Sequence, residues 1–288
     1  MAGGVVILTL LAVSVVTLIT RVTNLIVVAT EENARVDSLS RFLAPAVMKE
    51  INSADSRALR GSELVITVLF ADIRGFTTLS EHLAPEQVVG LLNDYFSRMT
   101  TVIFRHGGTL DKFVGDGLMA YFGAPVTQED QADRAIRCAI EMQQAVNFFN
   151  IEREGRGESA IRIGIGIHTG SAMVGVIGSD KRKGYTAVGD TVNVAARVEG
   201  LTKVYGRPLL VSAATLDLAK GTYAVDRVGD IEISGRVKSL EMFAIQETEY
   251  EGERQSSQRK KDKKRKRTGE TAQLIRRTPT HSLNHSGF

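Results

Sequence analysis

Two aspartates stand where hard oxygen ligands would be useful. Asp72 ends the apolar run from Leu64, within Phe70-Ala71-Asp72-Ile73-Arg74-Gly75-Phe76-Thr77. Asp116 lies between Gly115 and Gly117, with Thr109 to Phe113 before it and Leu118 to Phe122 after it. The first pattern reads as a buried strand closing on a carboxylate, and the second as a hairpin with the aspartate at its tip. A hairpin packed beside that strand would aim both carboxylates at one place. A carboxylate pair suits Mg²⁺ or Mn²⁺ on a phosphate oxygen. Taken singly, each has an ordinary explanation: turn propensity for Asp116 and a helix cap for Asp72.

A second constellation lies further along the chain. Asn193 and Arg197 are four residues apart within the helical pattern Asp190 to Tyr205, so they share a face. Without its flanking sequence this would be read as a polar helix face. Asp190 is the expected N-cap.

The elements that must position these residues follow from hydrophobic spacing. Pro85 to His106 has Val88, Leu92, Tyr95, Phe96, Met99, Val102 and Ile103 at helical intervals. Gln128 to Asn150 is a second amphipathic helix, and Glu152 to Ser159 a charged loop. Ile161 to Thr169 and Ala172 to Ile177 read as strands, and short strands with one helix fill Pro208 to Gln246. The order strand, helix, hairpin, helix, strand, then an extension predicts an α+β fold. Its expected form is a ferredoxin-like βαββαβ core with a C-terminal extension, antiparallel-rich, with helices on one face.

Composition bounds the remainder. The single cysteine, Cys138, excludes a disulfide framework and a cysteine metal cage; its helical position predicts a small buried hydrophobe. Residues 1–30 are expected to be a transmembrane helix with its flank, because Met1 to Thr20 has no charged side chain. No basic stretch or persuasive cleavage site supports a signal peptide. Residues 31–60 read as a helical connector broken at Pro45, and 61–248 as the catalytic domain. Residues 249–288 read as a disordered basic tail. From Glu251 to Phe288 there are eleven Lys and Arg against four Asp and Glu, while the whole chain carries a net charge of +3, so the basic character belongs to the tail. With a membrane span in the same chain, an anionic lipid surface is the expected partner of that tail, and no specific nucleic acid is expected.

Four segments in order resemble the class III nucleotidyl cyclases, from roughly Leu64 to Glu247. Phe70 to Thr77 is similar to that family's first metal motif, and Lys112-Phe113-Val114-Gly115-Asp116-Gly117 to its second. Ile163 to Gly170, with Gly175 and Gly178, resembles its glycine-spaced strands, and Tyr185 to Arg197 its transition-state helix. Four ordered motifs are far more specific than any one of them. The resemblance implies conversion of ATP to 3′,5′-cyclic AMP and pyrophosphate, with two Mg²⁺ or Mn²⁺ ions per site. Asp72, Asp116 and the main-chain carbonyl of Ile73 would hold the metals. Backbone amides from Arg74 to Thr77, including that of Phe76, would meet phosphate. Asn193 would orient the ribose, and Arg197 would stabilise charge on the α-phosphate.

The resemblance also assigns the base to Lys112 and Thr186. Guanylate cyclases of the family usually carry Glu and Cys at the matching positions, whereas a bacterial-type adenylate cyclase subgroup carries Lys and Thr. A lysine offers donors only, which suits the N1 acceptor of adenine and opposes the N1 hydrogen of guanine. The threonine hydroxyl alone is ambiguous, because it could accept from adenine N6 or donate to guanine O6. The sequence departs from the family at Ser234-Gly235-Arg236, where many members have a Lys-Gly pair on the terminal phosphates. Arg236 or Arg182 would replace that lysine. His168 reads as structural. The family pattern further implies a homodimer with each site between two chains. Because ATP is cytosolic, and Arg21 and the basic tail lie on one side of the expected span, the catalytic domain is expected in the cytoplasm. The alternative is a catalytically silent, nucleotide-binding regulatory module, which loss of any of the six principal site residues would favour; none is lost.

Overall fold

The computed structural model describes residues 61–232 and 239–246, together with Arg21, and omits the side chain of Arg182. The expected membrane segment, the connector and the basic tail fall outside the described residues, Arg21 apart, as do Ser234, Gly235 and Arg236.

Strand β1 (Ser62–Ile73) is followed by helices α1 (Phe76–Ser80) and α2 (Pro85–Arg105), then the hairpin β2 (Thr109–Val114) and β3 (Gly117–Phe122). Helix α3 (Gln131–Gly155), β4 (Ile163–Ser179), β5 (Arg182–Val188) and α4 (Asp190–Val204) come next. The chain continues with β6 (Leu209–Ser212), α5 (Ala213–Leu218), β7 (Val225–Ile231) and β8 (Leu240–Ile245). The sheet order is β2-β3-β1-β4-β6-β8-β7, with β5 added on β4. Among the described strands only β4 and β6 pair in parallel. This is the α+β architecture expected from the element order.

Alternation along β1 decides where the helices sit. Leu69, Ala71 and Ile73 pack with Tyr95 and Met99 of α2 and with Ala135 and Ile136 of α3. Ile66 and Val68 pack instead with Ala195 of α4. Successive strand residues face opposite sides, so α4 covers the face away from α2 and α3. The expectation of helices on one face is therefore corrected: the central strand carries a helix on each side, which is why Ile66 to Leu69 are all buried. The opposite faces of β4 follow the same rule. Ile163, Ile165 and Ile167 enter the first core, while an atom added at Gly166 would strike the Val198–Glu199 backbone of α4. A glycine is required there by the close approach of the helix backbone to the strand.

Three boundaries differ from the sequence reading. β4 is one 17-residue strand rather than two, because Gly170 and Ser171 keep pairing with Ile66 and Val65. β5 was not expected from the sequence. Its charged and glycine-rich start lacks a strand pattern, and it forms as a ribbon on the projecting end of β4. Helix α3 runs through Glu152 to Gly155, since Arg153 is buried, donates from Nε to Ser159 O at 2.8 Å and pairs with Glu158. Cys138 is buried beside Met142, and burial pushes its thiol pKa up, as expected of a structural residue.

Candidate active site

β1 and β3 are neighbours, paired from Thr67 with Phe122 to Ala71 with Leu118. That register brings the end of β1 beside the β2–β3 turn, so Asp72 and Asp116 meet although 44 residues separate them in sequence. A Cβ at Gly117 would lie 2.9 Å from both Asp72 Oδ1 and Ala71 O, so the Gly-Asp-Gly turn clears space for the first carboxylate. Burial pushes the Asp72 carboxyl up to about 6, and the charge of Asp116 and a side-chain hydrogen bond with it act in the same direction. The Ile73 backbone N–H donates to Asp72 and opposes the shift, as does Arg74. A cation bound between the two carboxylates would offset the repulsion that raises Asp72. No third Asp, Glu, His or Cys completes a cage among the described residues. A two-carboxylate set with room for water and phosphate fits Mg²⁺ or Mn²⁺ better than a closed protein site.

Lys112 and Thr186 converge on a second place. Lys112 Nζ donates to Thr186 Oγ1 at 3.2 Å, linking β2 to β5. A residue not singled out from the sequence, Asp111, binds both. Its Oδ2 accepts from Thr186 Oγ1 at 2.7 Å and from Ala187 N at 3.2 Å, and its Oδ1 lies 3.1 Å from Lys112 Nζ. Adjacency to Lys112 was the only signal in the sequence.

Asn193 and Arg197 are both exposed on α4, opposite the buried Val194 and Val198. Gly189 supplies the N-cap, so Asp190 is the first helical residue rather than the cap expected. Two further residues near the carboxylates were missed. Glu199 and Arg74 form an ion pair at 3.3 Å, with 14% and 20% of their side chains exposed. Burial pushes Glu199 up to about 7; Arg74 pulls it down, and Asp72 and Asp116 push it further up. Neither residue has a local signature, because the pair spans 125 positions. Tyr95 is fully buried, and its phenol pKa is raised by burial and by the same carboxylates.

The remaining site residues divide. The Phe76 side chain packs against the core, so only its backbone could take part in the expected phosphate contact, at the start of a five-residue helix capped by left-handed Gly75. The Ile73 side chain is buried. Arg182 begins β5, but its side chain and all of Arg236 lie outside the described residues. His168 is buried with Nδ1 2.8 Å from Ser212 Oγ, in keeping with a structural role.

The sequence matches the family described as "Adenylate and Guanylate cyclase catalytic domain" over residues 62–247. The chain belongs to the class III nucleotidyl cyclases. Its cyclase domain is 39% identical over 180 residues to adenylate cyclase 1 of Rhizobium meliloti (strain 1021), which covers 62% of this chain and 27% of that relative. The chain thus spans little more than a quarter of that protein. Among solved structures, the adenylyl cyclase CyaB from P. aeruginosa is 34% identical with a TM-score of 0.62, covering 66% of this chain and 98% of that one. The guanylyl cyclase Cya2 is 41% identical with a TM-score of 0.60, covering 64% and 93%. Overall likeness therefore points to both purines and does not separate them. Members of the family generally use two divalent metal ions.

Proposed function

We propose that this chain is an adenylate cyclase that converts ATP to 3′,5′-cyclic AMP and pyrophosphate, in sites formed between two copies of itself. The observation that carries the reading is the Lys112 Nζ to Thr186 Oγ1 hydrogen bond at 3.2 Å. It unites, from two strands, an ammonium donor and a hydroxyl that match the edge of adenine.

In the reaction, the ribose 3′-oxygen bonds to the α-phosphorus while the bond to the bridging oxygen of pyrophosphate breaks, and the hydroxyl proton is released. Asp72, Asp116 and the Ile73 carbonyl would hold two divalent ions, which supply acidification of the 3′-hydroxyl and charge neutralisation on the triphosphate. Lys112 and Thr186 hold the base and so fix the distance of the ribose from the carboxylates. Asn193 orients the ribose, and the Arg197 guanidinium offers planar donors to the α-phosphate as its charge grows. Asn193 and Arg197 are exposed on α4, as groups serving a site shared with a second copy would be. Phe113, Val114, Val176, Ile177 and Val188 are exposed apolar residues on β2, β4 and β5, a surface suited to burial against that copy.

Purified protein incubated with Mn²⁺ and either ATP or GTP tests the reading. Cyclic AMP formation with ATP strongly preferred is expected. Equal turnover of both nucleotides would overturn the purine assignment, and no cyclic product from either would favour the silent regulatory module. We further propose that residues 1–20 anchor the chain in a membrane with the cyclase domain on the cytoplasmic side, where ATP is found. No helix among the described residues is long and apolar enough to cross a membrane, and residues 1–20 lie outside them. The full chain should stay with membranes through an alkaline wash; release into the supernatant would sink this proposal.

A further inference from the structure

We infer that Asp111 is the residue that sets purine selectivity, by committing the single proton of the Thr186 hydroxyl so that Thr186 can only accept from the base. The inference rests on the adenylate cyclase reading and supplies the part of it that threonine alone leaves open.

A threonine hydroxyl has one hydrogen and two lone pairs. Here the hydrogen has a strong destination, Asp111 Oδ2 at 2.7 Å. The other acceptor described for it, its neighbour's carbonyl Ala187 O, is 3.5 Å away and a poor competitor. One lone pair takes a hydrogen from Lys112 Nζ at 3.2 Å. The second lone pair is what remains for a ligand, and it recognises a donor such as the adenine amino group. Guanine O6 is an acceptor and finds no hydrogen there.

The same carboxylate aims the lysine. Asp111 Oδ1 lies 3.1 Å from Lys112 Nζ, which fixes the ammonium beside Thr186 with its remaining hydrogens toward the base. The pair thus presents a donor next to an acceptor. Adenine offers the complementary acceptor, N1, next to a donor, N6. Guanine offers the reverse order, a donor at N1 and an acceptor at O6, and is mismatched at both positions.

The backbone explains how two consecutive residues serve one site. In a regular strand Asp111 and Lys112 would face opposite sides of the sheet. The β2–β3 register shifts between Leu110 and Lys112, leaving Asp111 as the extra residue of a bulge. A bulge re-aims side chains and bends the strand, and here it lets both reach Thr186. Asp111 has only 1% of its side chain exposed, whereas Lys112 has 51% exposed. The carboxylate is therefore a buried positioning residue, saturated by the Thr186 hydroxyl, the Ala187 amide and the Lys112 ammonium. It does not touch the nucleotide.

Steady-state kinetics with ATP and GTP on the native protein and on Asp111→Ala test the inference. Alanine removes both acceptor oxygens, so the Thr186 proton is freed and the Lys112 ammonium is no longer held beside it. The ATP-to-GTP ratio of kcat/KM should fall roughly 10-fold or more. The two substrates should move in opposite directions, with KM rising for ATP and falling for GTP. Loss of both activities in equal proportion, or an unchanged ratio, would overturn the inference. A second measurement needs no variant. The triphosphate of unsubstituted purine riboside keeps N1 but lacks the amino group, so the native protein should bind it with a KM roughly 10-fold above that for ATP. Equal KM values would show that Thr186 accepts nothing from the base, and the inference would fall. Native preference for GTP over ATP would instead overturn the adenylate cyclase reading itself, which the native ratio reports independently of the variant.

Discussion

Replacing Gly166 by alanine should slow the cyclase as well as destabilise it. Gly166 lies on β4, opposite Phe70 of β1, and faces α4. A Cβ there would sit 2.5 Å from Glu199 Cα and 2.7 Å from the Val198 carbonyl carbon, and closer still to Glu199 N. Carbon atoms pack best at roughly 3.5–4.0 Å, so the helix backbone must retreat by about 1 Å. No flexible side-chain end stands in the way to absorb the clash. Overpacking of this kind costs about 1–3 kcal/mol, offset in part by the about 0.5–1 kcal/mol that alanine gains over glycine within a strand. The same helix carries Asn193 and Arg197, and a 1 Å misplacement of reacting groups can cost about 100-fold in rate. The assay is cyclic AMP formation at saturating ATP, with thermal unfolding measured on the same preparation. Gly90→Ala is the control: an added Cβ there meets nothing within 4 Å, so the rate should hold and the melting temperature should rise slightly. If Gly166→Ala kept a rate within twofold of native with an unchanged melting temperature, the inferred strand-to-helix contact would be wrong.

Three further outcomes are expected. Asp133 is buried and accepts from Lys220 N, Gly221 N and the Tyr223 hydroxyl at 2.7–2.8 Å, so Asp133→Ala should cost about 3 kcal/mol and lower the melting temperature by roughly 6–12 °C. Burial acts to raise the Asp133 pKa, but those hydrogen bonds outweigh it and hold the group below the usual carboxylate range. Its stabilisation is therefore present above the ordinary Asp pKa and lost as pH falls through the lower folded value, and Asp133→Asn should flatten that acid limb in pH-dependent unfolding. Arg74→Ala strands Glu199 without its ion-pair partner; a stability loss of about 1–3 kcal/mol is expected by denaturant titration, and Glu199→Gln in the same chain should recover most of it. Asp72→Ala and Asn193→Ala should each be nearly inactive alone, and mixing them should return about half the native activity per mixed dimer, because a two-fold pair leaves one intact site. No recovery despite demonstrated subunit exchange would mean that the catalytic residues act within one chain.

How much could be read in advance depended on how local the cause was. Asp72 and Asp116 were legible because a run of strand residues and a Gly-Asp-Gly turn are written in consecutive positions. That Asn193 and Arg197 share a face was legible because four residues make about one turn of helix; their role came only from likeness to a family. Lys112 and Thr186 could be paired only by likeness to a family, since 74 positions and two strands separate them. β5 escaped notice because Arg182, Lys183 and Gly184 have no strand character, and their pairing is imposed by the end of β4.

The sequence by itself determined most of the element order, the two carboxylates, and the helix face shared by Asn193 and Arg197. Each of these follows from residue type and short-range spacing, which the chain carries whether folded or not. The tertiary structure decided what register and close approach control. Only pairing with β3 could shift β2 by one residue, so that Asp111 and Lys112 both face Thr186. Only the packing of α4 on the far face of β4 could set Glu199 against Arg74 and require a glycine at 166. A hydroxyl proton goes to the nearest strong acceptor in space. That acceptor, Asp111, is 75 residues away along the chain, so the destination of the Thr186 proton is set by the fold.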